Sequence, residues 1–114
     1  MRKALQFSDA AAAVAELTDQ AADVADAYVT LLIHAGIAAA DVICCARLGE
    51  HPQGDAHQEA VGLLKKADAE SARHLDTLLK MKTRVRYGHT PASVDDRKKA
   101  ERAANALLKT ATTM

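Results

Sequence analysis

The chain has 114 residues, carries no net charge at pH 7, and is 49% apolar, enough for one hydrophobic core and too little for two. Its aromatic residues are Phe7, Tyr28 and Tyr87, and alanine dominates, which argues against a β-sandwich and for closely packed helices. The charge is unevenly spread: residues 1 to 45 hold 2 Lys/Arg against 6 Asp/Glu, and residues 46 to 114 hold 13 against 9. Such a split reads first as attraction between the halves of one bundle and second as room for an anionic partner on the C-terminal half.

At the N-terminus, Arg2 and Lys3 precede no unbroken apolar stretch, because Ser8, Asp9 and Glu16 interrupt it. No uninterrupted apolar run reaches the roughly 18 residues of a membrane span. The expectation is a cytoplasmic protein without membrane association. Ser8 is a good N-cap for a first helix running to about Gln20, with Asp9 at its positive end.

A second helix is expected from about Ala22 to Leu48. Val24, Tyr28, Leu31, Leu32, Ala35, Ala39, Val42 and Ile43 recur at three-four spacing and form one core face. Ile33, Ile37, Ala40 and Cys44 supply a second, so the helix is apolar nearly all round between residues 29 and 46. It is then either the centre of the bundle or shared with another subunit. Cys44 and Cys45 point about 100° apart on a helix, do not readily bridge, and read as core fillers. Asp41, with His34 seven positions before it, is a carboxylate in apolar surroundings and needs a partner. A structural ion pair or hydrogen bond is one reading, and a role in positioning a site is the other.

Gly49, Pro52 and Gly54 mark a reversing loop, after which Asp55 can cap a third helix. His57 opens that helix, either hydrogen-bonded within the bundle or lining a cleft. Its core positions are Val61, Leu64, Ala67, Ser71, Leu75, Leu78, Lys82 and Val85, with a kink plausible at the polar patch from Asp68 to Ser71. Gly88 is a natural helix stop, and Thr90-Pro91 forbids continuation. Ser93 caps a last helix to about Thr110. The economical architecture is an all-α, up-and-down antiparallel four-helix bundle.

Lys80, Lys82, Arg84 and Arg86 meet no acid in their segment. They read as cations complementing a helix C-terminus or as an RNA-facing patch, with Tyr87 the one nearby stacking surface. On a continuous helix Arg84 and His89 would face about 140° apart. A stop at Gly88 lets His89 turn back beside the last carbonyls, as a helix cap or as a proton shuttle beside the arginine fork.

This layout resembles the HEPN family of small bacterial helical bundles. The resemblance rests on the arginine-x4–6-histidine pattern Arg84-Val-Arg-Tyr-Gly-His89, on the helix AGIAAADVICCARLGE, on Gly54 to His57, and on the run from Leu78 to Tyr87. It covers about residues 22 to 111. It implies a homodimer in which two copies of the motif meet and cleave RNA without metal by 2′-hydroxyl attack. Arg84 would then hold the phosphate and His89 act as acid and base, with Lys80, Arg86 and Tyr87 binding substrate and Asp41 and His57 supporting the site. An antitoxin-type protein is the implied partner. Val85 stands where active members usually carry a polar residue, and the alternative is a catalytically silent dimeric interaction or nucleotide-sensing module. Asp41, Cys44, Cys45, His51 and His57 show no recognised ligand spacing, and there is no repeated Glu-x-x-His, so neither metal nor cofactor is expected.

Overall fold

The computed structural model describes residues 1–16, 21–54, 56–87 and 92–114, with side chains described outside 21–24 and 85–87. Those residues form α-helices without any strand: α1 Arg2–Glu16, α2 Ala21–Leu48, α3 His57–Ala67, α4 Ala69–Tyr87 and α5 Val94–Thr112. At about 1.5 Å per residue the 28 residues of α2 span about 42 Å. That matches the 42 Å long axis of the molecule, whose other extents are 25 and 21 Å. α2 packs against each of the other four helices, while α4 also packs on α3 and α5.

The apolar faces read from the sequence converge on that central helix. Val29, Ile33, Ile43 and Cys44 of α2, Leu64 of α3, Leu78 of α4 and Leu107 of α5 are all essentially inaccessible to water. Small residues bring the backbones close. At Gly36 there is no room for a side chain: a Cβ would stand 2.2 Å from Leu78 Cδ1 and 3.3 Å from Leu107 Cδ1. The 18-residue test for a membrane-crossing helix is met by Ala25–Leu48, of mean hydropathy 2.0, and half of that window is buried against the other helices. Asp26, Thr30, His34 and Asp41 interrupt it, which is why no continuous apolar run appears in the sequence.

Several expected boundaries move. The first helix begins at Arg2 and not at Ser8, which lies half-buried in its second turn. Packing outweighs the local capping signal: Ala4 and Ala11 bury against the core, and the Phe7 ring stacks on His34 at a centroid distance of 5.2 Å. The expected third helix is two helices. Asp68, extended at φ −162° and ψ 106°, ends α3, and its N–H still bonds to Leu64 O. Its carboxylate then accepts from Ser71 Oγ at 2.5 Å across the first turn of α4. The polar patch is thus a full break, because an acceptor side chain offers the backbone an alternative to the helix.

At the start of α3, Ala56 occupies the capping position with no side-chain bond, and Asp55 lies outside the described residues. Gly49 ends α2 at φ 73°, a conformation that costs other residues a Cβ clash, with its N–H bonded to Cys45 O. Ser93 caps α5 as expected: it accepts from Asp96 N, and Asp96 accepts from Ser93 N. The anticipated attraction between halves does not take the form of salt bridges. Among the described residues the ion pairs are His57–Asp76, Lys80–Asp76, Arg84–Asp96 and Lys99–Asp95, all within the C-terminal half. The halves are joined instead by apolar packing and by two hydrogen bonds, Tyr28 Oη to Glu101 at 2.8 Å and Ala92 N to Asp26 at 2.7 Å.

Candidate functional site

α4 carries functional groups on two opposite faces. Asp76, Lys80 and Arg84 follow one another at four-residue intervals and form a stripe about 40° wide per step. At one end His57 Nε2 meets Asp76 Oδ1 at 2.7 Å, joining the start of α3 to α4. Lys80 Nζ holds the other Asp76 oxygen at 2.9 Å. These two hydrogen bonds, Lys80 first, hold the Asp76 carboxyl below the usual range. At the other end Arg84 pairs with Asp96 of α5.

Arg84 and Lys80 remain open to solvent, with 61% and 71% of their side-chain surfaces exposed. The Asp96 carboxyl is held low, chiefly by the Ser93 backbone bond and then by Ser93's side chain and Arg84, although burial opposes this. The guanidinium is thereby aimed by a residue that is itself fixed by a helix cap. An arginine has five N–H donors, so one carboxylate partner leaves others facing water.

Lys82 lies about 160° around α4 from Arg84 and continues the buried Leu75, Leu78 and Leu79 side of the helix. With Asp41, His57 and Cys44 it lines a cavity of about 80 Å³ between α2, α3 and α4, walled mainly by Ile37, Leu64, Leu75 and Leu79. Burial pushes the Asp41 carboxyl up, with His51 and Lys3 opposing. The expected pairing of Asp41 is absent: it has no ion-pair or hydrogen-bond partner among the described residues, because the side chains facing it from α2, α3 and α4 are mostly aliphatic. Burial likewise pushes the Cys44 thiol up to about 11, which keeps it a protonated core group. Cys45 is exposed and so is no core filler.

The structure therefore separates the residues singled out in the sequence. Lys80 and Arg84 share the outer stripe, while Asp41 and His57 face the cavity, His57 touching both through Asp76. α4 ends at Tyr87, and the side chains of Arg86 and Tyr87 and all of His89 lie outside the described residues. Asp76 and Asp96 were missed, although signals existed: an acid four residues before Lys80, and an acid three residues after the capping Ser93. Among the described residues no group of three or more His, Cys, Asp or Glu is placed to hold a metal ion. Fold and site together define a small all-helical protein with a charged stripe on one face of α4 and, on the other, a mostly apolar cavity bordered by Asp41, His57 and Lys82. No family model, curated protein or solved structure matches the chain.

Proposed function

We propose that the chain is a HEPN-like RNA-directed module, an up-and-down bundle of four arms in which α3 and α4 make one broken arm. It acts as a homodimeric, metal-independent endoribonuclease or RNA-binding toxin of the cytoplasm, restrained by an antitoxin-type protein. The observation that supports this reading is the solvent-facing guanidinium of Arg84 near the end of α4, oriented by Asp96 and one turn from Lys80. A fork held from one side and open on the other suits a phosphate oxygen, which accepts charge-assisted hydrogen bonds.

In this mechanism Arg84 holds the scissile phosphate and stabilises the charge that develops on it. His89 takes the proton of the attacking 2′-hydroxyl and returns one to the leaving 5′-oxygen. Lys80, Arg86 and Tyr87 contact the flanking strand. The test is cleavage of RNA in excess EDTA by the purified protein: activity lost in Arg84→Ala and in His89→Ala supports catalysis. Unchanged activity in either variant sinks it.

A second reading follows from the Arg84–Asp96 pair, which already neutralises the arginine. In it the motif is structural, and the protein is a catalytically silent dimeric interaction or nucleotide-sensing module. RNA neither cut nor retained by the intact protein, together with loss of thermal stability in Arg84→Ala, selects this reading.

A further inference from the structure

We propose that α3 is a flap hinged at Asp68: within the folded protein it swings away from α2 and α4 as a unit, uncovers the Cys44 thiol, and closes again on the His57–Asp76 bond. The device is independent of the RNA reading, since it uses neither Arg84 nor His89.

The local sequence leaves α3 dependent on what it packs against. It has 11 residues, and isolated helices shorter than about 12–15 are marginal in water. Gly62 stands in its middle, exposed and with nothing within 4 Å of where a Cβ would be, so no packing offsets its poor helix preference. Ala56 at the N-cap makes no side-chain bond to the first N–H groups. The buried side chains of α3 are Leu64 and Ala67, whereas α5 buries five.

Its surroundings give it room to move. Beneath it lies the cavity of about 80 Å³, which Leu64 borders, and a side chain beside empty space forfeits dispersion contacts there. Open clefts run along both flanks, one of about 440 Å³ between Val61 and Lys80 of α4, the other of about 340 Å³ between Lys66 and His51 of the α2–α3 connection. In that connection the side-chain hydrogen bonds are local, Gln53 Nε2 to His51 O and His51 Nδ1 at 3.0 Å from Pro52 O.

The hinge leaves α4 intact. Asp68 is extended and starts α4 by itself: its O accepts from Ala72 N at 3.1 Å and its carboxylate accepts from Ser71 Oγ. α2, α4 and α5 each pack on the other two without α3. Among the described residues two hydrogen bonds tie α3 to other helices, His57 Nε2 with Asp76 Oδ1 at 2.7 Å and Arg47 Nη1 to Ala67 O at 3.4 Å. The first is the stronger latch, and with about a third of each side chain exposed (34% and 35%) water competes for it. Cys44 is inaccessible while α3 is shut and lines the cavity under it, so opening brings the thiol to water.

The experiment is labelling of Cys44 in the Cys45→Ser protein with a water-soluble aromatic disulfide. The Cys44 thiolate attacks one sulfur, a mixed disulfide forms, and the departing aromatic thiolate is read by its absorbance. We expect labelling at least about tenfold faster than global unfolding allows, with only weak dependence on urea below the unfolding transition. His57→Ala should speed it about fivefold or more, and Gly62→Ala should slow it about threefold. A rate equal to that set by global unfolding overturns the proposal, because α3 then opens only with the whole fold. A rate that His57→Ala leaves unchanged also overturns it, because Cys44 is then reached from another side. Amide hydrogen exchange on the unaltered protein decides the matter even if a variant fails to fold. Residues 61 to 67 should exchange through one shared opening while residues 75 to 81 of α4 stay protected to the global limit, and equal protection in both overturns the flap.

Discussion

Arg84 reaches from α4 to Asp96 on α5, and Asp96 is the residue that closes the capping box over Ser93. One carboxylate thus ends one interaction and begins another: Oδ1 takes the guanidinium, and Oδ2 accepts from Ser93 N at 3.0 Å. The direction of an exposed arginine is set by whether a neighbouring helix is capped. The two can be uncoupled by substitution.

Asp96→Asn keeps an oxygen for Ser93 N and removes the charge opposite Arg84. Under the RNA reading, retention of single-stranded RNA should rise at low salt, and the slope of log affinity against log salt should steepen by about 0.7, one added phosphate contact. Filter binding across a salt series measures this; an unchanged slope means that Arg84 does not read phosphate. Asp96→Ala also loses the return bond of the capping box, Ser93 N to the carboxylate, while Ser93 Oγ still accepts from the backbone N of residue 96, and should cost about 0.5–1 kcal/mol.

Asp76 and Asp96 both have carboxyls held below their ordinary range. For a depressed carboxyl the unfolded chain binds protons first, so the stabilisation is complete above the unfolded value near 4 and is lost as pH falls through the lower folded value. Urea midpoints should therefore fall steeply below about pH 4. In the double variant Asp76→Asn/Asp96→Asn that acid dependence should flatten. An equally steep decline in the variant assigns acid sensitivity to other carboxylates.

Glycine positions on the helices should respond in opposite directions. At Gly62, in the exposed face of α3, an added Cβ meets nothing within 4 Å, so Gly62→Ala should stabilise by about 0.5–1 kcal/mol. At Gly36 the same helix gain is outweighed by the 2.2 Å approach to Leu78, which is fully buried and cannot retreat without disturbing Leu107. Gly36→Ala should lose about 1–3 kcal/mol in chemical denaturation.

Tyr28 donates to Glu101, and burial first, then that hydrogen bond, push its hydroxyl up to about 12. A raised acid binds its proton more tightly in the folded state, so this contribution is whole below the unfolded value of 10.0 and is lost as pH rises toward the folded one. Tyr28→Phe should cost about 0.5–1.5 kcal/mol at neutral pH and progressively less relative to the parent above about pH 10. Stability curves of parent and variant that stay parallel to high pH would show that the hydroxyl is not held by the fold.

Much of this architecture is written locally. The three-four spacing in α2 marks the central helix, Ser93 announces α5, and the polar run at Asp68 reads as a kink in one helix where the structure has a full break between α3 and α4. Ser8 misleads because its capping preference is real but weaker than burying Ala4 and Ala11 on α2. The candidate sites are less legible for a geometric reason. That Arg84 and Lys82 face apart follows from helix periodicity alone, yet that Asp41 shares a cavity with Lys82 depends on how α2 crosses α4, which no spacing within either segment encodes. The same holds for Arg84 and Asp96, whose acquaintance is made by two helices meeting at their ends.

The position of α2 as the helix that touches all the others sets an order on biosynthesis. Its Ala25–Leu48 window has the apolarity of a membrane span, and one of the partners covering it is α5, the last described helix. Until residues 94 to 112 have left the ribosome, that side of α2 has no intramolecular cover. A nascent chain stalled before Val94 therefore presents a greasy helix to whatever waits at the exit tunnel, chaperone or bilayer, and only the finished chain can withdraw it.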